Sequence, residues 1–187
     1  MASPETIMFI RHGEKPGEHG PPHGVKHSGE TDEHSLSVRG WTRAGGLAGI
    51  FAHAPSPAHP ELVVPARIYA TKSTHEYHSK REVATATPLA ERIGVKVNDN
   101  FEHGQEKQLG QAILDSSAPT LVVWHHGSIP AVLRHLPISN ENDVPHEWPE
   151  DRFDLIWVLT WDAAEKTYRF SIDQQELLSG DALKGSS

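Results

Sequence analysis

The chain has 187 residues, no cysteine and a formal net charge of -8. That length suits one sizeable core over residues 1–187 rather than two domains, and the missing thiols exclude disulfides, thiolate metal sites and a cysteine nucleophile. The acidic balance argues against nucleic acid as a partner, because such affinity rests on Lys and Arg neutralising phosphates, and no apolar run approaches the ~20 residues of a membrane helix.

Residues 1–5 lack the basic start of a signal peptide, so a cytoplasmic setting is expected. Thr6–Ile10 is apolar at nearly every position and reads as a buried parallel strand, ending abruptly at Arg11-His12-Gly13. A glycine there would let the backbone turn sharply and a ligand approach closely. Residues 13–36, rich in Gly, Pro, His and charge, form a loop over the site mouth. A helix follows from about Leu36 to His53, with Trp41, Ala44, Leu47, Ala48 and Phe51 at helical spacing. After a Pro-rich connection, Arg67–Thr71 is a second strand and Ser79–Ile93 a helix that Pro88 should kink or split and Gly94 should end.

Val95–Asn98 is a brief strand, Glu106–Ser116 a helix, and Thr120–Trp124 a third apolar strand, ending at His125-His126-Gly127. A helix over Ile129–Leu136 leads to a segment, Glu141–Phe153, whose Trp148, Pro149 and Phe153 would form an apolar wall. Asp154–Trp161 and Thr167–Ile172 look like a strand pair at the sheet edge, and residues 179–187 a frayed tail. The alternation of strands and helices predicts an α/β fold: a three-layer sandwich with a mostly parallel central sheet flanked by helices.

Ligands of such sheets bind outside the carboxyl ends of the strands. Three junctions there carry groups suited to phosphate: Arg11-His12-Gly13, Thr71 to Arg81, and His125-His126-Gly127. A guanidinium binds phosphate bidentately, and an imidazole can act as nucleophile or proton carrier near neutral pH. Thr71, Lys72 and Ser73 are placed either to add hydrogen bonds or to form a plain turn.

Three blocks in order also carry a resemblance. They are Arg11-His12-Gly13 at a strand end, Arg81 with Thr85 four residues on before Pro88-Leu89-Ala90, and the strand Leu121–Trp124 running into His125 and His126. Together they resemble the histidine phosphatase superfamily, in its phosphoglycerate-mutase-like branch, over about residues 6–136. The resemblance implies a phosphoglycerate-mutase-like fold and a metal-independent phosphomonoester hydrolase that needs no cofactor. His12 would be the nucleophile, forming a phosphohistidine, with Arg11, Arg81 and His126 clamping the phosphoryl oxygens and Gly13 beside them. Inorganic phosphate or sulfate would fit the same place.

Strand alternation turns only one of His125 and His126 to the site, and the resemblance, through its Trp-x-His-x-x-Ile-Pro arrangement, implies His126. For the acid that protonates the leaving group the order is Glu102, Glu106, Glu14. A mutase is the nearest alternative. A phosphate-binding scaffold of the same fold that has lost turnover is another. The histidines at 19, 23, 27 and 34 suggest a metal, but their spacing in a Pro-containing loop is poor for a coordinating cage, and no metal is expected. Neither the physiological substrate nor the oligomeric state is readable.

Overall fold

The computed structural model describes residues 3–183. Ten regular elements follow one another: β1 (Thr6–Arg11), α1 (Val38–Ala52), β2 (Arg67–Ala70), α2 (Arg81–Ile93), β3 (Val97–Asn98), α3 (Glu106–Leu114), β4 (Thr120–Trp124), α4 (Ile129–Leu133), β5 (Leu155–Asp162) and β6 (Thr167–Gln174). The strands form one mixed sheet in the order β3-β2-β4-β1-β5-β6. The four strands on one side are parallel, while β5 and β6 add two antiparallel pairs.

Period-two alternation distributes the apolar strand residues between the two faces of this sheet. Ile7 and Phe9 of β1, Val122 and Trp124 of β4, and Trp157 and Leu159 of β5 join one cluster with Leu109 and Ile113 of α3 and Val132 of α4. Met8 and Ile10, Leu121 and Val123, and Ile156 and Val158 point into the other, with Leu47 and Phe51 of α1 and Ala86 and Leu89 of α2. Strands covered on both sides must be apolar at every position, which is why β1 and β4 read as continuous runs.

Several element boundaries differ from the sequence expectation. α2 runs unbroken through Pro88. Just before it, the Thr87 hydroxyl donates back to the Val83 carbonyl at 2.7 Å. The helix after β4 is a three-residue 3-10 turn, His126–Ser128, followed by only five α-helical residues. The glycine-rich stretch before α1 is not wholly irregular, since isolated bridges join Gly24 to Ser37 and Val25 to Thr31. Trp148, expected on an apolar wall, is instead buried against Trp157 with ring centroids 4.8 Å apart.

The expected frayed tail is tied down as far as it is described. Asp181 pairs with Arg43 at 2.7 Å and accepts the backbone N–H groups of Leu177 and Leu178. Arg43, only 2% exposed, also donates to Glu14 and Gln175. Burial acts to raise the Asp181 carboxyl, but the hydrogen bonds from Arg43 and the two N–H groups outweigh it and hold it below its ordinary value. Residues 184–187 lie outside the described residues.

Asp181→Ala leaves Arg43 paired with Glu14 but removes the charge-assisted hydrogen bonds from Arg43, Leu177 and Leu178. Hydrogen bonds to a charged group contribute about 1.5–3 kcal/mol, so unfolding stability in urea titration is expected to fall by about 2 kcal/mol. A loss below about 0.5 kcal/mol, as for an exposed surface change, is the result that contradicts this docking.

Candidate functional site

Parallel pairing sets the carboxyl ends of β1, β2 and β4 on one sheet edge. Arg11 pairs in register with Trp124, and Ala70 with Val123, so the residues that follow each strand emerge side by side. His12 and Arg11 are 3% and 2% exposed. The His12 ring lies 6.3 Å from that of His126, edge to face.

The orientation of His12 follows from one hydrogen bond. Its Nδ1 lies 2.6 Å from the carbonyl oxygen of Gly13. A carbonyl only accepts, so Nδ1 carries the proton and the Nε2 lone pair is left free. The Gly13 N–H in turn donates to the Thr85 hydroxyl at 2.8 Å, and that hydroxyl donates to the Arg81 carbonyl at 2.7 Å. The second sequence block thus reaches the first through Thr85, and not only through Arg81.

Gly13 serves packing more than ligand approach. A Cβ there would stand 2.7 Å from the Gly40 carbonyl oxygen, and one on Gly40 would stand 2.5 Å from that of Glu14. Only two glycines let this loop press against the start of α1. Its N–H is already used by Thr85, so the backbone donor of Gly13 is spent within this edge.

The cations are held by carbonyls rather than carboxylates. Arg11 donates through NH1 to the Glu150 carbonyl and lies over the Phe153 ring, 3.8 Å from guanidinium carbon to centroid. Arg81, the first residue of α2, donates through NH2 to the Glu33 carbonyl at 3.0 Å. Neither takes part in an ion pair among the described residues. Arg11 Nε, Arg81 Nε, His125 Nδ1 and His126 Nδ1 are all buried with no hydrogen-bond partner among the described residues. Buried polar nitrogens are rarely left this way, and these four lie on one sheet edge.

β4 ends at Trp124, so strand alternation does not extend to the two histidines and cannot separate them. Their rings lie 4.8 Å apart, and both feel the charge of Arg11. His126 is the one beside His12. His125 packs instead on His103 and Tyr77, at centroid distances of 5.0 and 5.5 Å. Its backbone N–H donates to Thr71, which is fully buried and therefore positions this loop.

Of the three carboxyls considered as acid, two are committed elsewhere. Glu14 is ion-paired with Arg39 and Arg43. Glu106 accepts from the Gly104 N–H at 3.0 Å and from Trp124 Nε1 at 3.3 Å. Burial acts to raise its carboxyl, but hydrogen bonding from these donors outweighs it and holds the group below its ordinary value. Glu102 is half exposed and is held by Lys72 at 3.1 Å. A fourth carboxylate was not anticipated. Glu82, beside Arg81, is completely buried, and only its local Ser79-x-x-Glu82 spacing hinted at a fixed position.

Among the described residues, no group of three or more His, Asp or Glu side chains is arranged to hold a metal ion. His27 packs on Trp41 and His34 on His78. Among the described residues, no helix is long and apolar enough to cross a membrane. No protein-family model matches the chain, and no curated protein matches it.

Burial, reinforced by the charges of Arg11 and Arg81, depresses the His12 imidazole to about 4 from an ordinary 6.5. Burial, then Arg11 and the neighbouring imidazoles, takes His126 to about 3. Both are neutral at physiological pH. As pH falls, the unfolded chain protonates these histidines first. Their contribution to stability is therefore complete above about 6.5 and is lost towards about 4. For His12 this amounts to about 3 kcal/mol. Urea midpoints are expected to fall across that window, and His12→Asn to flatten the fall; an unchanged pH slope in the variant is the contrary result.

Proposed function

We propose that the chain is a phosphomonoester hydrolase of the histidine phosphatase kind, working through a phosphohistidine on His12. The three-layer, phosphoglycerate-mutase-like arrangement belongs to the same reading. The observation that carries it is the Nδ1–H bond from His12 to the Gly13 carbonyl, which leaves Nε2 as a free lone pair beside Arg11. A neutral imidazole fixed in that tautomer is the form a phosphorus nucleophile requires.

In the first step the Nε2 lone pair forms a bond to phosphorus while the bond to the ester oxygen breaks. The leaving oxygen takes a proton and departs as an alcohol. Water then attacks the phosphohistidine, the P–N bond breaks, and inorganic phosphate leaves with His12 restored. Arg11, Arg81 and His126 face the equatorial oxygens, where unpaired donors meet developing charge without reorganising. Arg11 suits this role because burial lowers its guanidinium only to about 10, so it stays charged at neutral pH.

Glu102 is the proton source in this scheme. Of the three candidate carboxyls it alone is half exposed and held by a single lysine, so a local rotation frees it. The scaffold reading draws on the same ion pair: a carboxylate kept on Lys72 donates no proton, leaving a site that binds phosphate without turnover.

The test uses an aryl phosphate. With a radiolabelled phosphoryl group, the wild type is expected to release phosphate and, on alkaline quench, which preserves the P–N bond, to retain label at His12. His12→Ala should reduce the rate by at least about 10³-fold, as loss of a nucleophile does. Glu102→Gln should slow an alkyl phosphate far more than an aryl phosphate, whose leaving group needs less protonation. Equal rates in wild type and His12→Ala reject the hydrolase reading. Phosphate binding without a trapped intermediate supports the scaffold, and isomerised 3-phosphoglycerate without free phosphate supports a mutase.

A further inference from the structure

Glu82 is the one fully buried carboxylate of this sheet edge, and the scheme above does not use it. It sits in the first turn of α2, directly after Arg81. Tyr77 donates its hydroxyl to one oxygen at 2.6 Å, and Ser79 donates to the other at 2.7 Å. Both partners are neutral. Among the described residues Glu82 has no ion pair, and neither does Arg11 or Arg81.

An unpaired buried carboxylate is costly, and so is an unpaired buried guanidinium. Direct contact between them would relieve both. Instead the carboxylate is satisfied by two hydroxyls and the guanidinium groups by carbonyls, so opposite charges share one region without touching. That arrangement offsets charge at a distance while leaving the guanidinium nitrogens open. The Tyr77 hydroxyl cannot shift its proton away from the carboxylate: burial, then the charge of Glu82, pushes the phenol well above its ordinary range. The Tyr77 ring also stands edge-on to His125, so the same hydrogen bond ties α2 to the loop after β4.

We propose that Glu82 is a fixed internal counter-charge of the phosphate site, a positioning residue that acts through Arg11, Arg81 and His12 without touching the bound anion. It lets a cationic cluster be built before any ligand arrives, and it weakens the hold on the inorganic phosphate left after turnover. Its charge opposes the two arginines at His12 and offsets part of the desolvation of Arg11. The proposal rests on the reading of this cluster as a phosphate site, but not on that site being catalytic.

The experiment measures inorganic phosphate binding at neutral pH by calorimetry for wild type, Glu82→Gln and Glu82→Asp. Removing one buried unit charge several ångströms from a dianion is expected to tighten phosphate about tenfold in the Gln variant. The Asp variant, which keeps the charge, should remain near wild type. A merely structural role predicts the opposite, because a loosened site binds more weakly. Unchanged or weaker binding by Glu82→Gln overturns the proposal.

If that variant fails to fold, Glu82→Ala is compared with Tyr77→Phe, which keeps the charge and loses the hydrogen bond; only the former should tighten binding. The two readings separate cleanly. Tighter binding without aryl phosphate hydrolysis upholds the counter-charge and rejects the hydrolase. No phosphate binding by any folded form rejects both.

Discussion

One nitrogen of an imidazole is fixed as a free lone pair only when something holds the proton on the other, and for His12 that something is the backbone of the next residue. The Gly13 carbonyl accepts from His12, the Gly13 N–H donates to Thr85, and Thr85 donates to the Arg81 carbonyl. The backbone of one residue, through the two peptide groups that flank it, thus joins the end of β1 to the first turn of α2. The tautomer of His12 and the location of Arg81 are consequences of the same chain of bonds. The loop can lie where it does because Gly13 and Gly40 let two backbones approach to a distance no side chain would allow. A defect anywhere in this series would move the imidazole relative to the cations, and reactivity of this kind is sensitive to ångström displacements.

Around that series the charges are arranged in two shells of different character. Behind the loop, Glu14, Arg43 and Asp181 neutralise one another through short ionic contacts, so this back wall is a closed network. In front, Arg11 and Arg81 meet only carbonyl oxygens, and Glu82 meets only hydroxyls. The closed network adds rigidity. The open one retains an attraction for an anion, because each guanidinium keeps an unpaired nitrogen. His12 and His126 are neutral first because burial penalises a charged imidazole, and the charge of Arg11 adds to that penalty at both.

Much of this is legible in the sequence because it depends on local patterns. Continuous apolar runs mark β1 and β4, and the Arg11-His12 block marks where β1 ends, as Arg81 marks the start of α2. What escapes is tertiary or depends on where a pattern stops. Period-two reasoning fails for His125 and His126 because the strand ends one residue earlier, at Trp124. Pro88 has the local signature of a break, yet a helix held on its inner face by Ala86 and Leu89 tolerates one missing donor. The docking of Asp181 on Arg43 joins residues 138 apart, and no local composition announces it. Glu82 is hidden for a different reason: a glutamate in the first turn of a helix is so ordinary there that its burial cannot be guessed.

The formal net charge of -8 and the local pairing of Arg11 with Arg81 at one sheet edge are compatible only because charge acts over short distances. At physiological ionic strength, exposed charges more than ~8 Å apart are largely screened from one another. Most of the acidic surplus therefore contributes little at His12. Inside the sheet edge, where water is excluded and the effective dielectric constant is nearer ~20 than ~80, a single unit charge at ~4 Å is worth about 4 kcal/mol. Local geometry outweighs the global sum by that difference. The same inequality assigns a large effect to one buried carboxylate. Exchanging Glu82 for a neutral side chain alters the charge of the whole protein by one unit among many, but it alters the field around Arg11, Arg81 and His12 by a substantial fraction. An acidic surface and a cationic interior edge are thus separable properties of this fold, and only the second bears on which ligands it holds.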